Sequence, residues 1–467
     1  MLFRSLLTIE EKRIIINLMN YRHNPLLKRI RFQIIRFFRW FVPGIGIKRW
    51  GLLIMLGTML LGLGFAVIVI DMYRNTPDTW YLPIVAFLSL RFLSRPVRAL
   101  IFGLGGVILI VVGVWGINRT LLKPFLRPGK HLVDAVSNFH KLDKGKKIVV
   151  IGGGNGLAAL LRGLKKYTSN ITAIVTVADD GGSSGEIRKK VGILPPGDIR
   201  NCLTALSNDE ELTTQLFQYR FGEDLGINGH SLGNLLITAL TDITGSFEDA
   251  VAESGRVLAI QGKVLPSTLH DVKLVAQVHL PEENKEIKVK GESEIPRKRG
   301  QVKRVWLEPN NPLAYPPTIQ SILSADIIIV GPGSLFTSIV PNLLVPDISE
   351  AIRVSRALKF FVCNVATQPG ETDGFSCGDH VKTIEKEIGK GLFDVVICNN
   401  NCNGKLPEDI EFVCLEEELP NEYPIYSSNL SDPSIPWRHD SSKLASAIFD
   451  LYNERTGPIG RELNSEL

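Results

Sequence analysis

The residues best equipped for chemistry in this 467-residue chain fall into five short glycine-containing stretches. In the first, Gly152, Gly153, Gly154, Asn155 and Gly156 follow the β-branched run Ile148–Ile151 and precede the helix-forming Leu157–Lys166. Strand, glycine turn and helix start together present unpaired N–H groups to an anion, and glycine admits a ligand close to the backbone. This suits a phosphate or nucleoside diphosphate, with a tight structural turn as the plainer reading. The spacing is neither G-x-G-x-x-G nor G-x-x-x-x-G-K-[ST]. The second stretch puts Asp179 and Asp180 before Gly181, Gly182, Ser183 and Ser184. Of two adjacent carboxylates, one can hold Mg²⁺ or a hydroxyl while the other fixes the loop. Both are therefore metal candidates, and a solvated turn with an Asp helix cap is the alternative.

The third stretch, Leu194–Asn201, carries Asp198 at a helix start with Arg200 just behind it. The fourth, Gly229–Asn234, offers His230 as an acid/base group and Asn234 as an amide for a base or sugar. His230 serves equally well as a hydrogen-bonded structural histidine. Its G-x-S-x-G spacing lacks the preceding strand that a serine nucleophile needs. The fifth, Gly331 to Ser338, is a second glycine–hydroxyl loop in which Gly331, Gly333 and Ser334 are candidate phosphate ligands. Asn399 and the basic run Arg297–Arg299 complete the set, since an arginine fork can neutralise a diphosphate.

The elements that must carry these stretches alternate. Nearly continuous apolar runs at 147–151, 171–177, 257–260, 326–330, 361–364 and 395–397 read as strands of a buried parallel sheet. Helical segments lie between them. Ligands bind at the carboxyl ends of strands in such sheets. The alternating residues of 272–280 and 287–289 predict an inserted β-hairpin with one wet face.

Charge divides the chain. Residues 1–147 hold 23 Lys/Arg against 6 Asp/Glu, and residues 148–467 hold 30 against 42. The positive excess lies beside apolar segments and not on the part that carries the glycine loops, which argues against nucleic acid and for membrane lipids as a partner. Two uncharged runs, 51–70 and 99–117, have the length of membrane spans. Their basic flanks predict a two-helix hairpin with both termini and the main domain in the cytoplasm. The expected order is a basic arm (1–50), the hairpin (51–117), a basic linker (118–144), the α/β domain (145–452) and a tail (453–467). In that compartment the six cysteines are expected as thiols, and no zinc pattern is formed.

The motifs GGGNG at 152–156, TVADDGGSSG at 176–185, LPPGDIRNCL at 194–203, GHSLGN at 229–234 and IVGPGSLFTSI at 329–339 resemble the bacterial gluconeogenesis factor family. That family is related to the 2-phospho-L-lactate transferases of coenzyme F420 synthesis. The resemblance spans residues 145–452, and the segment before it departs from the family pattern. It implies a Rossmann-like sheet with an inserted subdomain. In the transferase branch, a guanosine diphosphate-linked phospholactate donates to a deazaflavin hydroxyl with Mg²⁺ present. The other branch is associated with UDP-sugar binding, carbon-source-dependent growth and cell-shape control, and this chain resembles it more closely.

The fold expectation is thus α/β: a Rossmann-like three-layer parallel sheet with an inserted β-hairpin subdomain, preceded by a two-helix transmembrane hairpin. The functional expectation is a membrane-tethered regulator that binds a nucleotide diphosphate-sugar and links carbon metabolism to wall synthesis. Wall-synthesis regulators and a second copy of the chain are its candidate partners. A Mg²⁺-dependent phosphoryl-group transferase is the first alternative, with Asp179, Asp180, Asp198 and His230 as its catalytic groups. A non-catalytic scaffold is the second.

Overall fold

The computed structural model describes scattered residues between 55 and 87, then Leu90, 92–122 and 142–456 except 209, 223–228 and 416–422. By internal contacts the chain divides into Met1–Lys141 and Leu142–Leu467.

In the first unit, helix α1 (Arg95–Leu122) contains the proposed span 99–117. Most of the proposed span 51–70 lies outside the described residues. Among the described residues, no single helix is long and apolar enough to cross a membrane. The apolar helical stretch found within α1 is Gly103–Val112, about 15 Å at 1.5 Å per residue, half of a hydrocarbon core. A bent pair, Leu335–Leu343 and Pro346–Val354, also has the composition of a span. It is instead core of the second unit, with Phe336, Ile339, Val340, Ile348 and Ile352 buried. The membrane hairpin and the multi-pass location are therefore corrected. Hydropathy counted a continuous apolar run in the sequence, whereas the apolar helical stretch found there, Gly103–Val112, is shorter than a span.

The second unit is α/β, as expected. Its main sheet comprises β1 (Ile148–Gly152), β2 (Ile171–Val175), β3 (Lys263–Pro266), β7 (Ile327–Val330), β8 (Leu358–Val362), β9 (Val395–Asn399) and β10 (Ile425–Ser428). All neighbours pair parallel in the order β10-β9-β8-β7-β1-β2-β3. Every residue of β1, β7 and β9 is buried, because both faces are covered, and this is why these strands read as unbroken apolar runs.

The hairpin gains a strand. β4 (Lys273–Leu280), β5 (Lys285–Lys290) and β6 (Gln301–Glu308) form an antiparallel sheet with β4 central. The strand expected at 257–260 is displaced. Residues up to Val257 close the helix Phe247–Val257, and β3 follows after Gly262.

The helices that position the site are α2 (Gly154–Leu164), α3 (Gly182–Val191), α4 (Gly197–Leu206), α5 (Leu232–Thr244), α6 (Cys377–Ile388) and α7 (Ser441–Thr456). α2 lies against α7 closely enough that a Cβ on Gly163 would overlap the Ser441 carbonyl. The cysteines depart from expectation as well: Cys377 and Cys398 are disulfide-bonded.

Candidate functional site

The chain leaves β1 for β2 on one side, and β7 joins β1 on the other. Connections diverge here, so a crevice opens outside the carboxyl ends of β1 and β7. The two glycine loops meet at this point. A Cβ on Gly156 would lie 2.8 Å from the Pro332 carbonyl oxygen, and one on Gly333 would lie 3.1 Å from the Gly153 oxygen. Gly156 has no room for a side chain, and one at Gly333 would push the Gly153 backbone away by a few tenths of an ångström. Gly154 sits at φ +65°, where glycine is at ease, and its N–H donates to the Asp198 carboxylate.

Two further carboxylates join that of Asp198. Asp179 faces it across Gly197, and Glu292 reaches in from the turn after β5 to donate a hydrogen bond to Asp179. Enclosure by protein and the Asp179 charge push Asp198 up to about 6. Burial, then Asp179 and Asp198, push Glu292 up to about 10, so it is a neutral acid at physiological pH. Nearby, Glu371 is buried and pushed up to about 7 by desolvation. One of its oxygens accepts from Thr337 Oγ1 at 3.2 Å, and Oε2 has no partner among the described residues.

The inserted sheet is fastened over this cluster. Asp180 Oδ1 accepts the Ser293 N–H at 2.9 Å, and Gly370, at φ +77°, has its Cα face pressed on the Pro296 carbonyl. Arg188 of α3, buried, clamps the end of β2 to the β3–β4 connection through the Asp179 carbonyl, Asp271 and the Val272 carbonyl.

A second network lies behind α3. Ser183 Oγ is 2.9 Å from His230 Nδ1, Asn234 Nδ2 donates to Ser183 Oγ at 3.0 Å, and Arg200 donates to Asn234 Oδ1 and Ser231. Ser231 caps α5 by accepting the Asn234 N–H.

A family model described as 2-phospho-L-lactate transferase CofD matches residues 148–418. The putative gluconeogenesis factor of Nostoc sp. is 48% identical over 442 residues, covering 91% of this chain and 94% of that protein. The chain belongs to the gluconeogenesis-factor family. The Bacillus subtilis gluconeogenesis factor is 45% identical over 66% of this chain and 98% of its own length. A crystal structure of a UPF0052 family member from Bacillus halodurans superposes with a TM-score of 0.60 at 43% identity, covering 66% of this chain and 99% of that one. The Nostoc match covers more than residues 142–467 can account for, so family likeness reaches into the amino-terminal unit.

Within this family member, the residues singled out by sequence separate into two groups. Gly152–Gly156, Gly331, Gly333, Ser334, Asp179 and Asp198 converge at the switch point. Of these, Asn155 is exposed, whereas Gly152, Gly331 and Gly333 are buried. The Gly333 amide is already engaged: it donates to Asn364 Oδ1 at 3.1 Å, and Asn364 Nδ2 returns a bond to the Gly333 carbonyl.

The others serve the scaffold. Asp180 secures the inserted sheet, and Asn234 and His230 sit in the network behind α3. Asn399 binds the Asn401 carbonyl and the Leu430 N–H, tying β9 to the loop after β10. The Arg297 side chain is 71% exposed and pairs with Glu294 at 2.6 Å. Sequence reasoning passed over Glu292, Glu371 and Asn364. Glu371 lies in the polar stretch 367–373 after β8, where nothing local marks it as buried. Among the described residues, no group of three or more His, Cys, Asp or Glu side chains is arranged to hold a metal ion.

Proposed function

We infer that the protein binds a nucleoside-diphosphate-linked substrate where the β1 and β7 loops meet and, with Mg²⁺, transfers a phosphoryl-linked group from it. The observation that supports this reading is the packing of two glycine loops at a sheet switch point beside Asp179 and Asp198. The start of α2 offers amides to an anion. The neighbouring carboxylates would repel a bare diphosphate, and Arg297 is turned to solvent.

A divalent cation between carboxylate and phosphate removes that conflict. Mg²⁺ takes one or two carboxylates together with phosphate oxygens and water, so a pair of hard donors suffices without a protein cage. Asp179 and Asp198 fit that donor set better than Asp179 and Asp180, because they flank Gly197 beside the glycine loops, whereas Asp180 is turned to the inserted sheet through Ser293. When bound, the ion would neutralise charge on the transferring group. The chain's own residues then hold the phosphates through α2 amides and favour the ionised form of Asp198 through the Gly154 N–H and the Arg200 charge. The transferase name of the matching family model supports this class of chemistry.

Isothermal titration of the full chain with GDP, UDP and UDP-sugars, with and without Mg²⁺, tests the site. Mg²⁺-dependent binding that falls at least tenfold in Gly154→Asp is expected, since the substitution adds a charge among the phosphates. Equal affinity in that folded variant would remove the placement. Turnover is read by ³¹P NMR of nucleotide-linked donors with deazaflavin and sugar acceptors.

The relatives' name, gluconeogenesis factor, favours a second reading. In it the same ligand, a UDP-sugar, is sensed without being consumed, and the liganded protein acts on wall-synthesis regulators. Binding without turnover across those acceptors would select it.

A further inference from the structure

Four of the six cysteines share one corner of the second unit, independent of the reading above. Cys377 opens α6, Cys398 lies in β9, Cys402 follows that strand, and Cys414 lies just beyond the bridge between Ala366 and Phe412. Cys377 and Cys398 are each 1% exposed and joined by a disulfide. Cys402 and Cys414 are unbonded, with their sulfurs 2.7 Å apart, and Cys414 is exposed. The two pairs adjoin, because the Cys377 N–H donates to the Cys414 carbonyl at 3.1 Å. With standard bond lengths this leaves their Cα atoms about 6 Å apart, a span that a disulfide can bridge.

We propose that these residues form a thiol–disulfide exchange centre in which the outer Cys402/Cys414 dithiol reduces the buried Cys377–Cys398 bond and is regenerated by an external dithiol. The Cys414 thiolate attacks Cys377 Sγ, and Cys398 leaves as a thiolate and takes up a proton. The Cys402 thiolate then attacks Cys414 Sγ and releases Cys377, which is protonated in turn. One disulfide has broken and one has formed, with two electrons and two protons moved inward. The external dithiol reduces Cys402–Cys414 and leaves as its own disulfide.

Burial and the neighbouring Cys414 thiol push Cys402 up to about 11, so it stays protonated while Cys414 makes the first attack, and the second step draws on its minor thiolate form. The bond being opened ties the start of α6 to the end of β9. Its reduction therefore loosens the strand end that Asn399 holds to Leu430.

The test is differential alkylation and peptide mass spectrometry on full-length protein purified without reductant, followed through a dithiothreitol time course. Reduction of Cys377–Cys398 is expected to be at least tenfold slower in the C402S/C414S variant, with unchanged far-UV circular dichroism. C402S is expected to accumulate a Cys377–Cys414 linked peptide. In the unsubstituted protein, acid quenching part-way is expected to trap the same linkage, a readout that needs no variant to fold. Equal reduction rates, or absence of that linkage at every quench point, would overturn the proposal. So would one chelator-removable zinc per chain with all four thiols protected, which is a metal–thiolate site.

Discussion

Asp198→Asn is the substitution that most directly tests the physics of the site. Asp198 is held at about 6 against an ordinary 3.8, chiefly by desolvation and then by the Asp179 charge. An acid whose pKa is higher in the folded state binds its proton more tightly there. Its contribution to stability is therefore present at low pH, declines as pH rises from about 4 through about 6, and stays lost above that. At about 1.4 kcal/mol per tenfold, the rise corresponds to about 3 kcal/mol of strain at pH 8. Water reaching the partly exposed residue reduces this to about 1–2 kcal/mol.

Asparagine keeps an oxygen for the Gly154 N–H and removes the charge. The variant is therefore expected to gain about 1–2 kcal/mol over the parent in urea unfolding at pH 8. The gain should shrink as pH falls through about 6 and vanish by about pH 3, below both values, where the parent is protonated in both states. Taking the difference between variant and parent cancels the titrating groups that do not interact with Asp198 and leaves those that do, Asp179 and Glu292 among them. The same variant is expected to lose Mg²⁺-dependent nucleotide binding, so stability and ligand affinity move in opposite directions. A variant that is less stable than the parent by the same amount at both pH values would refute the reasoning, because Asp198 would then be a structural acceptor whose charge carries no cost.

Four other outcomes follow from the same geometry. Gly156→Val should lower stability by about 2–3 kcal/mol, seen as a fall in the urea midpoint, because its Cβ would sit 2.8 Å from the Pro332 oxygen and force the two loops apart. Asn364→Ala removes both bonds to Gly333 and should cost about 1–3 kcal/mol, with faster hydrogen exchange at the Gly333 amide. Glu292→Gln should leave stability at pH 7 within about 0.5 kcal/mol, since the glutamate is already neutral, whereas Glu292→Ala should cost about 1–3 kcal/mol by unpairing Asp179. Burial lowers His439 to about 4, so its neutral form favours folding above about pH 6.5 and that contribution is lost as pH falls toward 4. His439→Leu should accordingly flatten the acid limb of the stability curve.

The parts of this protein that could be read from sequence are those where local pattern and burial have one cause. β1, β7 and β9 are buried on both faces, so their residues had to be largely apolar, and Gly156 and Gly333 are glycine where the two loops touch backbone to backbone. β6 was missed for the opposite reason. In Gln301–Glu308, Val305 and Leu307 are buried among exposed or half-exposed neighbours, including Lys303 and Arg304, and the segment resembles a basic loop until β4 is seen to pair with it. α3 begins Gly-Ser-Ser-Gly, a poor helix start by intrinsic preference, and is secured by the contacts of Arg188 across 83 and 84 residues of sequence.

The site residues divide along the same line. A polar side chain near a strand end carries no sequence mark that separates a ligand contact from a bond that closes a loop, and both uses require the same amide or carboxylate. Asn234 and Asn399 were expected to meet ligand, yet each has its donor and acceptor satisfied by protein, and each is 1% exposed. Glu292 and Glu371 lie in polar stretches that suggest surface. Their burial exists only after the inserted sheet folds back on Asp180 and the 368–373 loop packs on Pro296. The unusual protonation of Glu292 is thus a product of tertiary closure. Loosening the inserted sheet at one of its fastenings, by Asp180→Ala, should shift that carboxyl toward its ordinary value even though no atom of Glu292 has been changed.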